Sequence, residues 1–342
     1  MAKICLCGLT ADEIHELIGP LEFTFRHSLQ ISNGLYKKRI SDIRQIAEIP
    51  KNLKLKLFDI AVTGLFPPAS SSISTDGSVK YLFRSEEGKV FETVSIPDRR
   101  RNTVCVSTQS GCRMGCSFCA TAQYGYRGNL TAGEIVNQII SIPHSGDITH
   151  VVFMGMGEPM DNLENVIKAC RILTSEWGLA ISSKNITVST VGIMPEVKQF
   201  LLRSECNLTL SLFSPFSIER EKVVPAERLN PSKRILELMK TIPVKRRRRL
   251  SIAYIMIDNI NDTDAHLQEL KTILRDSVIR VNLLSYHPVR NDQNCSSSKE
   301  RMQYFKHSLV VSGISASIRI SRGTDISAAC GLLAARDLSI ET

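Results

Sequence analysis

The stretch TVCVSTQSGCRMGCSFCATAQ, residues 103–123, decides how the rest of the chain is read. It opens as a short apolar, β-branched run, TVCVS, and passes into a loop with three cysteines in eight residues. Cys112, Cys116 and Cys119 are spaced C-x3-C-x2-C. Thiolates are soft ligands, suited to zinc or to an iron–sulfur cluster. A structural zinc site is closed by four ligands. No fourth Cys or His lies close by, since the next histidine is His144. On the residues alone two readings stay open. A zinc site could borrow a distant ligand, or three cysteines could hold a 4Fe–4S cube whose fourth iron is left for a small molecule.

Working outward, apolar strand patterns recur after residue 103. They fall at 103–107, 149–154, 185–190, 207–212, 251–257 and 279–285. Helical patterns separate them. One opens at Thr131, with Glu134 completing a capping box, and another at Asp161, with Glu164 in its first turn. Others cover 194–203, 232–241 and 263–275. Alternating strands and helices predict an α/β fold with a parallel sheet. Six units suit an open, partial (β/α)6 barrel, and a doubly wound sheet is the alternative. In both, ligands belong at the C-terminal strand ends. The expected barrel is 103–342. Residues 1–66 read as a small helical accessory domain. Thr10 and Glu13 form a capping box there, and Ser41 is expected to cap a helix that Pro50 stops. Residues 67–102 read as a linker and β-hairpin extension, with PPASSSIST (67–75) as a turn-rich connector.

Two further strand ends attract notice. Gly155-Met-Gly157-Glu158-Pro159 follows the second strand and can bring backbone and a carboxylate to a ligand, although a plain turn is an equal reading. Ser189 and Ser211 end strands three and four at the same rim. The chain of 342 residues is 43% hydrophobic and 23% charged, ordinary globular values that exclude a disordered or low-complexity chain. No stretch reaches the ~18 apolar residues of a membrane span. The N-terminus is a poor signal peptide, so a cytoplasmic protein without a membrane partner is expected. Ten cysteines in such a chain argue for metal or catalysis rather than a disulfide framework. The net charge of +9 makes nucleic acid a plausible partner. The basic runs are KKR at 37–39, RRR at 99–101 and KRRRR at 245–249. The last lies at the N-terminal end of a strand, away from the expected mouth, and reads as a solvated face. The first two suit phosphates better.

Several strings agree in order and spacing with one family. CVSTQSGC (105–112), GCSFCATAQYGYRGNLTAGEI (115–135), FMGMGEP (153–159) and DISAACG (325–331) together resemble the RlmN/Cfr family of radical S-adenosylmethionine (radical-SAM) rRNA adenine methyltransferases. The resemblance runs from about residue 85 to 333. It implies a partial radical-SAM barrel and one 4Fe–4S cluster held by Cys112, Cys116 and Cys119, with Phe118 packed on the cluster's outer face. It also implies two SAM molecules per turnover. Gly157, Glu158, Ser189, Ser211, Leu212, Phe213 and His287 match the family's SAM contacts. Cys330 matches the cysteine that becomes S-methylated, Cys105 its resolving partner, and Glu92, in VFETVSIP, the proton-accepting glutamate. Two positions depart from the pattern. Phe213 stands where the family has His, and His287 where it usually has Asn, which changes the donor and acceptor geometry.

The implied chemistry explains these residue types. An adenine ring carbon is electrophilic and cannot attack a methylsulfonium. In the family, Cys330 first takes a methyl group, the resulting thioether carbon adds to the ring as a radical, and Cys105 then attacks the Cys330 sulfur to release the product. The disulfide left behind is reduced afterwards. The expected substrate is 23S rRNA, with tRNA as a second substrate, and an electron donor such as flavodoxin or ferredoxin is implied. Carbon 2 is the expected position and carbon 8 the alternative. A monomer is expected. Two other readings are a radical-SAM enzyme on another substrate and a zinc-binding nucleic-acid module. DISAACG argues against the former.

Overall fold

The computed structural model describes residues 3–99, 101–243, 248–289 and 292–334. Ten strands form one sheet: β1 (Ser70–Ile73), β2 (Val79–Arg84), β3 (Val90–Asp98), β4 (Arg101–Cys105), β5 (His150–Phe153), β6 (Ile186–Thr190), β7 (Asn207–Ser211), β8 (Leu250–Met256), β9 (Arg280–Ser285) and β10 (Ala316–Arg319). Their spatial order follows the chain without a crossing. β4 to β10 are parallel, and β1 to β4 pair antiparallel. A consecutive order is that of a singly wound sheet. The doubly wound alternative reverses its order and is excluded. The expected open barrel is therefore present, with a seventh parallel strand, β10, beyond the six expected. The hairpin extension is a three-stranded meander fused to the same sheet. Its outermost strand, β1, occupies part of the stretch expected to be a turn-rich connector.

The parity of each strand sorts its side chains. Val104, Val151, Phe153, Ile186, Val188, Leu208, Leu210, Ile252, Val281 and Leu283 are buried against covering helices. These include α4 (Ala132–Ile140), α5 (Leu163–Thr174), α6 (Glu196–Arg203), α8 (Ser232–Thr241), α9 (Asp264–Leu274) and α10 (Lys299–Val311). At about 25 cal/mol per Å2 of apolar surface removed from water, this two-layer core holds the barrel. α4 starts at the expected box, with the Glu134 amide donating to Thr131 Oγ1 at 3.1 Å and the Thr131 amide to the Glu134 carboxylate at 2.7 Å. Between β7 and α8 lies α7 (Ser217–Val223).

Residues 3–66 carry α1 (Ala11–Ile18), α2 (Phe25–Ser32) and α3 (Lys51–Ile60). They join the same hydrophobic core as the barrel. Ion pairs Lys168–Glu13 and Arg171–Asp12, both 2.5 Å, tie α1 to α5. One helix expectation is corrected here. Ser41 caps no helix, and Asp42 instead caps a single 3-10 turn, Ile43–Gln45. Pro50 starts α3 rather than stopping its predecessor, as suits a residue with preset φ and no amide to leave unpaired. Among the described residues no helix is long and apolar enough to cross a membrane.

Candidate active site

The cysteine loop leaves β4 at its C-terminal end and is held by glycine. Gly111 has φ 76°, and a Cβ there would meet the Gly125 carbonyl oxygen at 1.6 Å, so no other residue fits the approach of the 124–126 turn. Cys116 is buried, while Cys112 and Cys119 are partly exposed. Burial pushes the Cys112 thiol up to about 12, and the neighbouring Glu158 and Cys119 add to it. Burial also raises Cys116, with Cys119 and Cys112 adding to it. The three sulfurs thus lie within electrostatic reach of one another. Cys116 sits in an apolar patch with Phe213, Val224, Ile257 and Tyr286.

No three Cys, His, Asp or Glu side chains among the described residues close around one point as a single metal ion requires. A four-iron cube is wider than one ion, and thiols at its corners stand further apart. A soft donor set of three thiols in an apolar surround fits such a cluster. The Phe118 and Phe213 rings stack in the same patch as Cys116, centroids 5.3 Å apart and planes within 9°. Phe213 adopts φ 62°, uncommon for a bulky side chain.

The C-terminal segment closes onto this loop. The Ala120 amide donates to the Gly331 carbonyl at 2.7 Å, and Thr121 Oγ1 to the Leu333 carbonyl at 2.6 Å. Cys330 is within electrostatic reach of both Cys119 and Cys105. The residue is exposed, yet desolvation raises its thiol pKa, and Cys119 adds to the shift. Cys105 is buried, and its pKa is raised by that burial and by Cys330. Both are free thiols. Glu92, on β3, is 2% exposed. It pairs with Lys80 Nζ at 3.1 Å and accepts the Ala334 amide at 3.0 Å. Three residues far apart in sequence therefore meet around one short segment.

Further round the same C-terminal rim, Ser189 Oγ and Ser211 Oγ are 3.2 Å apart. Gly157, φ 97°, packs so tightly that a Cβ would meet Gln109 Cβ at 2.5 Å. The Glu158 carboxylate is committed inside the protein. It accepts Thr190 Oγ1 at 2.5 Å, the Met160 amide at 2.9 Å and the Val191 amide at 2.9 Å. Burial pushes it up to about 7 despite these donors. The Leu212 side chain lies in the core, so only its backbone reaches the rim. His287 shares a 2.7 Å hydrogen bond with Ser321, and burial lowers its pKa.

The sequence reading missed Arg220, on α7. It is fully buried and paired with buried Glu227. Its guanidinium donates to the carbonyls of Val191 (2.6 Å), Ser211 (2.9 Å) and Leu212 (2.8 Å), joining the ends of β6 and β7. In SIEREKV it looks like one more solvated helix charge; nothing local marks it. Lys80 was missed for the same reason. Of the basic runs, Lys37, Lys38, Arg39, Arg99, Arg101, Arg248 and Arg249 are described, whereas Arg100 and residues 245–247 lie outside the described residues. Arg248 is not a solvated charge. It donates to the Leu201 carbonyl at 2.6 Å and the Cys206 carbonyl at 2.9 Å, closing the end of α6.

A parallel half-open barrel with three loop cysteines after its first strand is the architecture of the radical SAM superfamily, whose model matches residues 106–270. A crystal structure of a radical SAM methyltransferase from Sphaerobacter thermophilus superposes with a TM-score of 0.90 at 35% identity, over 97% of this chain and 100% of that one. A probable dual-specificity RNA methyltransferase RlmN of Parabacteroides distasonis is 39% identical over 96% of both chains. The dual-specificity RNA methyltransferase RlmN of Syntrophotalea carbinolica is 34% identical over 97% of this chain and 90% of its own. The chain belongs to the RlmN family of radical SAM methyltransferases.

Proposed function

We propose that this protein methylates carbon 2 of an adenine in 23S rRNA, with tRNA as a second substrate, through a methyl group carried on Cys330. The convergence of Cys330, Cys105 and the Glu92-bound segment 330–334 at one mouth carries the reading. Cys112, Cys116 and Cys119 would hold one 4Fe–4S cluster. Gly157, Glu158, Ser189, Ser211, the backbone of Leu212, Phe213 and His287 would line the SAM site. When bound, the cluster and SAM supply a methyl group by polar displacement and, with a second SAM and an electron from a flavodoxin- or ferredoxin-type donor, a hydrogen-abstracting radical.

Cys330 loses its proton and accepts the methyl group as a thiolate. Its accessible position suits it to meet both SAM and base. After hydrogen abstraction the Cys330 methylene carbon bonds to adenine carbon 2. Glu92 takes the ring proton, and its anchorage on Lys80 and the Ala334 amide fixes it beside the segment that carries the new bond. Cys105 then attacks the Cys330 sulfur. The S–S bond forms, the S–C bond breaks, the released carbon is protonated to the methyl product, and the adduct's one unpaired electron would be taken back by the cluster that Cys112, Cys116 and Cys119 hold. Burial keeps Cys105 protonated and out of water until that step. The base must be unpaired or extruded to reach the mouth.

The variants separate these roles. Cys330→Ala should form no bond to RNA. Cys105→Ala should still add to adenine and stall as a covalent protein–RNA adduct, visible on a denaturing gel and removed by nuclease. Free methylated RNA at the wild-type rate from Cys105→Ala would reduce Cys105 to a core residue.

A further inference from the structure

The segment that carries Cys330 is pinned at two feet. The far foot is the one described above, with Gly331 and Leu333 bonded to Ala120 and Thr121, and Ala334 to Glu92. The near foot stands on the hairpin turn between β1 and β2. Asp325 accepts the Ser74 hydroxyl at 2.6 Å and the Thr75 amide at 2.9 Å, although Ser74 lies 251 positions away in sequence. In return, Asp76 accepts the Gly323 amide at 2.8 Å, while its other oxygen takes the Ser78 amide at 2.9 Å and fixes its own turn. Each side thus supplies a carboxylate to the other's backbone, and such charge-assisted bonds are the strong ones. Partial burial works against ionisation of Asp76, yet the Gly323 and Ser78 amides hold its carboxyl down at about 2. The Ser74 hydroxyl and the Thr75 amide lower Asp325 likewise.

Strand register relates this clasp to the buried thiol. Lys80 pairs with Val94, and Val94 with Cys105, so one rung crosses from β2 to Cys105. Ser78 lies two residues along from Lys80. At roughly 3.4 Å per residue and 4.8 Å between strands, Ser78 stands about 12 Å from Cys105. Cys330 is five residues beyond Asp325, a tether that extends to about 17 Å. The tether can therefore reach the buried thiol with its foot in place. Ala328 and Ala329 are buried, so the arch lies against the protein. Among the described residues the hydrogen bonds of 326–330 stay within the segment, from the Ser327 amide to the Thr324 carbonyl at 3.3 Å and from the Ala328 amide to the Gly323 carbonyl at 2.8 Å. Without the clasp, the next tie on that side is Ser321, bonded to His287 and nine residues from Cys330.

We propose that Asp76 and Asp325 are positioning residues, which clasp the foot of the Cys330 segment to the β1–β2 turn and so set how often the Cys330 thiol meets that of Cys105. They act through the backbone of 323–325 and touch neither thiol. This rests on the methyl-carrier reading above, in which one side chain on a short tether must serve a methyl donor, a base and Cys105.

The test follows the Cys105–Cys330 disulfide in the cluster-loaded chain, held anaerobically in glutathione buffers without RNA or SAM. The two protein thiols are oxidised to the disulfide, and glutathione disulfide is reduced to two glutathione thiols, which carry the two protons. Alkylation of the remaining thiols and peptide mass give the equilibrium constant. Asp76→Ala/Asp325→Ala should lower it about twofold or more, as lengthening the loose tether from five residues to nine implies. Asp76→Asn and Asp325→Asn each keep one carbonyl oxygen for a donor, so their constants should fall between. These two variants carry the test if the double Ala chain does not fold. A purely structural role would lower the melting temperature and leave the constant alone. Equal constants in all four chains would therefore overturn the clasp, whatever happens to the RNA product. A wild type that forms no Cys105–Cys330 disulfide at any glutathione ratio would overturn the methyl-carrier reading, and the proposal with it.

Discussion

Glu92 shows what a single buried carboxylate can do here. Its two oxygens hold Lys80 and the amide of Ala334, so it anchors the segment bearing Cys330, and the proposed role of proton acceptor falls on the same residue. Glu92→Gln should keep the shape and lose the base. A slowed adduct-resolving reaction with unchanged methylation of Cys330, followed by intact-protein mass, is the expected pattern. Equal loss of both would mean an anchoring role alone. Glu158 gives a pH prediction of a different kind. Its carboxyl is raised by burial from an ordinary 4.5 to about 7. A pKa raised by folding contributes stability fully below the unfolded value, and that contribution is lost as pH climbs through the folded one. Between pH 4.5 and about 7 ionisation of Glu158 should remove up to about 3 kcal/mol, from 1.36 kcal/mol per unit. Urea unfolding across that window should show a flatter profile for Glu158→Gln than for wild type. Parallel profiles would place the cost elsewhere.

At the scale of elements, α7 matters beyond its seven residues. Arg220 ties it to three carbonyls at the ends of β6 and β7 and to Glu227. Breaking a buried pair from one side leaves an uncompensated charge. Arg220→Met should therefore cost about 3–5 kcal/mol, and the Arg220→Met/Glu227→Leu double variant should recover part of it. Chemical denaturation of the single and double variants measures this; a loss below about 1 kcal/mol in the single variant would remove Arg220 from its structural role. Here the limits of sequence reading are physical. Six strands were legible because each places buried β-branched or apolar residues between helical patterns, as in ITVST or LSIAYIM. β10 was not, because its four residues, ASIR, are part-exposed and alternate with polar groups. β1 reads as a loop because SSSI is an edge with little to bury. The cysteines and glycines were legible because their chemistry needs those residue types. Arg220, Lys80 and Arg248 were not, because only the fold decides whether a charge meets water or a partner.

For the whole molecule, the sheet's consecutive order brings distant segments together. The meander supplies Glu92 and Lys80, the first parallel strand Cys105, the loop after it the three cysteines, and the C-terminal segment Cys330. The singly wound order was legible only as one of two options, since a list of strands does not fix their neighbours. The cluster assignment has its own check. A Cys112→Ala/Cys116→Ala/Cys119→Ala chain, reconstituted anaerobically, should hold no iron and no brown chromophore. Full iron content in that variant, or zinc without iron in the wild type, would remove the cluster from the account. The most direct test of the central claim is mass spectrometry of 23S rRNA from cells with and without this gene, resolving 2-methyladenosine from 8-methyladenosine. The account predicts 2-methyladenosine that disappears with the gene and returns with the wild-type chain but not with Cys330→Ala. An unchanged rRNA methylation pattern on loss of the gene, or the loss of 8-methyladenosine instead, would contradict it.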